Sequence, residues 1–150
     1  MNFILDTDTT VYWLKGDKDI EAKIIAVGLV NVRTTILSCC ELYYGAYKSR
    51  RIEQNIKAIE ELKAKIPVLL TSKSAKDLAQ GYVTHEIIPE KHMEDALHVA
   101  IASLNKIDFF VTWNCTHIAS AHKRKKIRLY NAVAGMFCPE IVLPEEIIAE

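Results

Sequence analysis

The chain has 150 residues, half of them hydrophobic, which supplies a sizeable core for one domain over 1–150 and argues against a second. Lys plus Arg balance Asp plus Glu at 19 each, so no global field draws the protein to nucleic acid or a membrane, and any hold on phosphate must come from local clusters. No stretch approaches membrane-span length, and Asp6 and Asp8 stand where a signal peptide needs its apolar core, so a cytoplasmic protein with no membrane attachment is expected.

Residues 2–6 read as a strand, Phe3-Ile4-Leu5 being its apolar body, and it ends in Asp6-Thr7-Asp8. A buried carboxylate without a partner costs several kcal/mol, so this pair must be solvated, hydrogen-bonded or metal-bound. Thr9 or Thr10 can cap a helix that carries Val11, Tyr12 and Leu14 and stops at Gly16. Asp17 starts a second helix with Ile20, Ile24, Ile25 and Val27 on one side, ending near Gly28. A strand over 29–34 follows, then helices over 36–48 and 52–65, and a strand over 67–70.

The second half repeats the alternation. Residues 73–87 are helical in pattern, Pro89 breaks the chain, and 94–105 form a helix apolar enough to be largely buried. Asp108-Phe109-Phe110-Val111 reads as a strand, 116–125 as a short helix and 127–129 as a last strand, before an irregular tail in which Pro144 precedes Glu145-Glu146. Strands joined by helices give an α/β fold, a three-layer α/β/α sandwich around a mainly parallel sheet of about five strands. Ligands of such sheets sit beyond the C-terminal strand ends, where this chain carries Asp6 with Asp8 and Thr112 with Asn114.

Two helices carry acids in apolar settings: Glu41 in ILSCCELYYGA and Asp95 in HMEDALHVAIA. If both face the strand end that holds Asp6, three or four carboxylates converge. At ~4 Å each pair repels by about 1–4 kcal/mol, so a divalent cation or shared protons must offset them. Oxygen donors in that number suit Mg²⁺ or Mn²⁺ better than Zn²⁺. The plainer reading is that Asp6 and Asp8 cap the next helix and that Asp95 complements a helix dipole.

Four segments, LDTDT, ELYYGA, EDALHVAIA and DFFVTWNCTHIA, resemble in order and spacing the PIN-domain nucleases, and among them the VapC-type toxins of toxin–antitoxin pairs. The resemblance spans nearly the whole chain. It implies a metal-dependent endoribonuclease that hydrolyses RNA phosphodiesters with one or two Mg²⁺ or Mn²⁺ ions, held inactive by a cognate antitoxin and assembled as a homodimer. By position the family's acids fall on Asp6, Glu41 and Asp95. Asp6 and Asp95 are then the expected metal ligands, Glu41 a ligand or water-orienting base, and Thr112 a partner of a carboxylate or of the scissile phosphate.

Two departures stand out. Asn114, in Thr112-Trp113-Asn114, occupies the place of a common fourth acid, as in one branch of the family, and Asp8 occupies a place where Asn or Ser is usual. Asp8 then keeps the pocket at four carboxylates and is a third candidate metal ligand. The amide also leaves open a weakened PIN fold that binds RNA or protein without cleaving.

Other candidates are less specific. His92, Asp95 and His98 have helical spacing for a transition metal, although a core histidine explains His98 as well. Cys39, Cys40, Cys115 and Cys138 are expected to be reduced and to act as packing residues. The basic runs at 48–51 and 122–128 supply Arg50, Arg51, Lys123, Arg124 and Lys125 as candidates for the RNA backbone, or form solvated helix ends. Tyr43, Tyr44 and Tyr47 make the third helix a candidate dimer surface.

Overall fold

A computed structural model describes residues 1–147; the final three residues of the expected domain lie outside the described residues. Five strands, β1 (Phe3–Leu5), β2 (Val32–Thr35), β3 (Val68–Leu69), β4 (Phe109–Val111) and β5 (Glu140–Val142), form one sheet in the order β3-β2-β1-β4-β5. Every pairing is parallel, with Ile4 beside Arg33 on one side and beside Phe110 on the other.

Because side chains alternate across a strand, each strand feeds two cores. Ile4, Phe110 and Ile141 face one layer, built from α5 (Lys73–Thr84), α6 (Met93–Leu104) and α7 (Ala121–Val133). Phe3, Leu5, Val111 and Val142 face the other, built from α1 (Thr7–Leu14), α2 (Lys18–Val27), α3 (Ile36–Tyr47) and α4 (Ile52–Lys65). The result is the expected α/β/α sandwich. Ile4 and Phe110 are fully buried at its centre, each worth about 1.5–3 kcal/mol of transfer free energy.

The structure departs from the expected elements in four places. The strand expected at 127–129 lies inside α7: Ile127 is fully buried and Ser120 caps the helix by accepting from the Lys123 amide, so the basic run continues as a helix with one inward face. The fifth strand is instead Glu140–Val142, in the segment taken for an irregular tail. The second strand starts at Val32, because Leu29–Asn31 form a short 3₁₀ turn with Val30 78% exposed. Finally, α1 begins at Thr7, capped by Asp6, while Thr9 and Thr10 are buried within it.

The order β3-β2-β1-β4-β5 puts the reversal of winding between β1 and β4. From β1 the chain builds outward through β2 and β3, then returns to the opposite side for β4 and β5. Crossovers leaving in opposite directions open a crevice at the C-terminal ends of those two strands. Asp6 directly follows β1, and Thr112 directly follows β4.

Candidate active site at the sheet switch point

Asp6 uses both carboxylate oxygens at this crevice. Oδ1 accepts from the Thr9 amide at 2.9 Å and caps α1, while Oδ2 accepts from the Thr112 hydroxyl at 2.5 Å. The capping reading and the pocket reading of Asp6 are therefore both satisfied by one side chain. Thr112, fully buried, in turn accepts from the Asn114 amide at 3.0 Å, which ties the two strand ends together.

Asn114 is an organiser. Its side-chain Oδ1 accepts from the His117 amide at 3.0 Å and caps a π-helical turn, Cys115–Ala119, while its Nδ2 donates to Asp95 Oδ2 at 3.1 Å. The amide is suited to this double task, since a carboxylate has no proton to donate to Asp95. Asp95, in the first turn of α6, also lies 3.8 Å from His92 Nδ1.

Asp6, Thr7, Asp8, Glu41, Asp95, His98, Thr112 and Asn114 line one small cavity of about 70 Å³, closed below by Phe110 and Ile118. Two of the four carboxylates are perturbed there. Asp8 is pushed above the ordinary aspartate range by desolvation and then by Asp6, Glu41 and Asp95. Glu41 is held below the ordinary glutamate range, first by hydrogen bonding from His98, against desolvation. Neighbouring acids whose environments drive them apart in this way are characteristic of reacting sites.

The four acids offer only oxygen, the donor set of a hard divalent cation. As the side chains stand, no three His, Cys, Asp or Glu groups among the described residues are gathered closely enough to hold a metal ion. Hydrogen bonds to Thr9, Thr112 and Asn114 hold Asp6 and Asp95 on separate walls of the cavity.

A family model described as PIN domain matches residues 3–114. The chain belongs to the PIN domain family. No curated protein matches it in sequence. Among solved structures, a chain of the DNA-bound VapBC complex from Salmonella typhimurium is similar with a TM-score of 0.72 at 19% identity, covering 96% of this chain and 98% of that one. A chain of VapBC-1 from nontypeable Haemophilus influenzae gives 0.66 at 20% identity, over 97% and 100%. A chain of VapBC2 from Rickettsia felis, bound to a promoter DNA fragment, gives 0.65 at 17%, over 95% and 98%. At these identities the likeness is one of fold.

Of the remaining candidates, His98 lines the cavity, and the alternative of a His92–Asp95–His98 transition-metal cluster has no support in the geometry: His92 stacks on His117 with ring centroids 3.5 Å apart, while His98 turns inward to Glu41. Lys123 donates to the Ile87 carbonyl and Arg124 makes a bidentate pair with Glu146, so both are engaged within the fold. Lys125, Arg50 and Arg51 are exposed. The basic run sits in the first half of α7, so the reading of it as cations at a helix C-terminus falls away. Cys39 is buried and Cys138 half-buried, but Cys40 and Cys115 are exposed and do not pack. Asp108 accepts from the Asn2 amide at 2.8 Å, which joins the starts of β4 and β1.

Sequence reasoning missed a polar network beside the cavity: Thr7 bonds Ser38, whose amide donates to Thr35, with Thr35 and Ser38 fully buried. His98, one helical turn beyond Asp95, was the available signal, since i and i+3 share a face.

The shift of Asp8 has a testable sign. A carboxylate whose folded-state pKa is raised destabilises the folded state at pH values above that pKa, and the penalty disappears as pH falls into the ordinary aspartate range. Asp8→Asn is therefore expected to raise the thermal midpoint of the metal-free protein at pH 7, with the gain shrinking on acidification; calorimetry across that range checks both.

Proposed function

We propose that this PIN domain is a metal-dependent endoribonuclease, the toxin of a toxin–antitoxin pair, hydrolysing RNA phosphodiesters with Mg²⁺ or Mn²⁺. The observation that carries it is four carboxylates lining one cavity at the β1/β4 switch point, two of them with shifted pKa values. Asp6, Asp8 and Asp95 would hold the cation. When bound, it lowers the pKa of a water and neutralises charge developing on the phosphorane. Glu41, kept ionised, accepts a hydrogen bond from the attacking water, and Thr112 and Asn114 fix Asp6 and Asp95.

Separate surfaces suit the proposed partners. A groove of about 330 Å³, lined by Val11, Leu14, Leu42, Ala46 and Ile59, shares Glu41 with the acidic cavity. An antitoxin helix lying apolar face down in that groove would place a basic side chain against Glu41. Tyr44 and Tyr47, 64% and 66% exposed on α3, mark the surface for a homodimer. Exposed Lys125, Arg50 and Arg51, with Lys123 and Arg124 if released from their internal partners, would contact the RNA backbone.

Purified protein incubated with a panel of single-stranded and structured RNAs in Mg²⁺ or Mn²⁺ tests the reading. Cleavage is expected, abolished by chelator and by Asp95→Asn. The second reading, a PIN fold that binds RNA or protein without cutting, is favoured by the Asn114–Asp95 hydrogen bond and by the ungathered acids. RNA binding with no cleavage in either metal would select it.

A further inference from the structure

Glu41 stands on α3, between the buried Ser38 and Leu42, and lines the cavity with its side chain 39% exposed. Behind it lies His98, 4% exposed, on the inward face of α6. The imidazole has a partner on each side: Nε2 is 3.5 Å from Glu41 Oε1, and Nδ1 is 3.3 Å from Thr35 Oγ1. Thr35 accepts from the Ser38 amide at 3.1 Å as the cap of α3, which leaves its own proton free to point at His98.

Thr35 and His98 Nδ1 can share their hydrogen bond in either sense; with the Thr35 O–H donating, Nδ1 is the acceptor and the ring proton sits on Nε2, facing Glu41. Phe110, edge-on at 6.2 Å, closes the remaining side of the ring. The chain Ser38 N–H to Thr35 to His98 to Glu41 thus runs from the α3 cap to the cavity, and a second link joins Thr7 to Ser38 at 3.0 Å.

We propose that His98 is a positioning residue of the acidic cavity, a relay from Thr35 that holds the Glu41 carboxylate in one orientation. This rests on reading Glu41 as part of the reacting site. A histidine that only filled the core would satisfy both ring nitrogens inside it, whereas this one turns Nε2 to an acid of the cavity. An unrestrained Glu41 has three rotatable bonds and neighbouring carboxylates that repel it, so loss of the relay leaves its oxygens without a fixed direction.

Two measurements test the relay. In the metal-free protein, ¹⁵N NMR of the histidine ring is expected to show Nδ1 unprotonated and Nε2 protonated for His98, with the Nε2 signal moved by Glu41→Gln. In cleavage assays His98→Phe, which keeps a ring but no nitrogen, is expected to lower kcat by roughly 10–100-fold with KM little changed. His98→Gln, whose amide nitrogen reaches the place of Nε2, is expected to recover most of that loss. With Glu41→Gln already present, His98→Phe should add almost nothing, because the group it positions is gone.

An Nδ1-protonated ring, an Nε2 signal indifferent to Glu41→Gln, or an equal loss from His98→Phe in both backgrounds would overturn the relay. If the wild type cuts no RNA in either metal, the nuclease reading fails on its own, and the NMR result still decides whether His98 holds Glu41.

Discussion

Asp6→Asn is expected to lower RNA cleavage roughly a thousand-fold, about 4 kcal/mol at 1.36 kcal/mol per decade, while leaving the fold nearly as stable as before. The two effects separate because Asp6 has two tasks. Oδ1 caps α1 through the Thr9 amide, and Asn caps as well as Asp does. What Asn cannot supply is the negative charge that the proposed cation requires; its Nδ2 also stands where Oδ2 accepted from Thr112, so that hydroxyl must turn to accept instead, a cost of about 1 kcal/mol. Asp6→Ala should differ: it removes the cap and leaves the buried Thr112 hydroxyl without its acceptor, together costing roughly 2–4 kcal/mol. Denaturation midpoints and single-turnover cleavage of the same two variants check this. Unimpaired cleavage by Asp6→Asn would reduce Asp6 to a helix cap.

The same double duty explains why the opening segment was readable only in part. Apolar Phe3-Ile4-Leu5 followed by Asp6 announces a strand that ends at a polar edge, and nearly any α/β chain with that pattern places the acid at the C-terminal edge. Which residue caps α1 was not readable, because Asp6, Thr9 and Thr10 are all good caps, and the choice is made by Thr112, more than a hundred residues away. Glu41 and Asp95 were legible for the opposite reason. An acid on an apolar helix face conflicts with its surroundings, and such conflicts concentrate at sites.

The misplaced fifth strand has a physical cause of the same kind. Residues 122–128 are dominated by charge, and a single inward residue, Ile127, carries no period by itself. Its partner on that face, Asn131, is fully buried because it donates to Ser103 and Phe137 and accepts from Tyr82. A polar residue therefore does the work of a core residue, and hydrophobic periodicity does not see it. Glu140–Val142 is short and followed by Pro144, so it becomes a strand only through its pairing with β4.

Asn114→Asp is expected to destabilise the metal-free fold. The cap on His117 survives, since a carboxylate accepts that amide as well as an amide oxygen does. The contact to Asp95 inverts from a hydrogen bond at 3.1 Å to a repulsion of about 1–4 kcal/mol for like charges near 4 Å at effective dielectrics of 80 to 20. The thermal midpoint without metal should therefore fall, and saturating Mn²⁺ should restore more of it than in the wild type, because a fifth carboxylate strengthens the cation's hold on the folded state. Asp8 supplies the control. If it is the counterweight to the amide at position 114, Asp8→Asn alone weakens Mn²⁺ binding, and Asp8→Asn with Asn114→Asp returns the pocket to four carboxylates. The double variant should then bind Mn²⁺ close to wild-type strength and recover most of the lost stability. Mn²⁺ affinity unchanged in Asp8→Asn, with Asp6→Asn weakened alongside it, would show that Asp8 lines the cavity mouth without holding charge for the site.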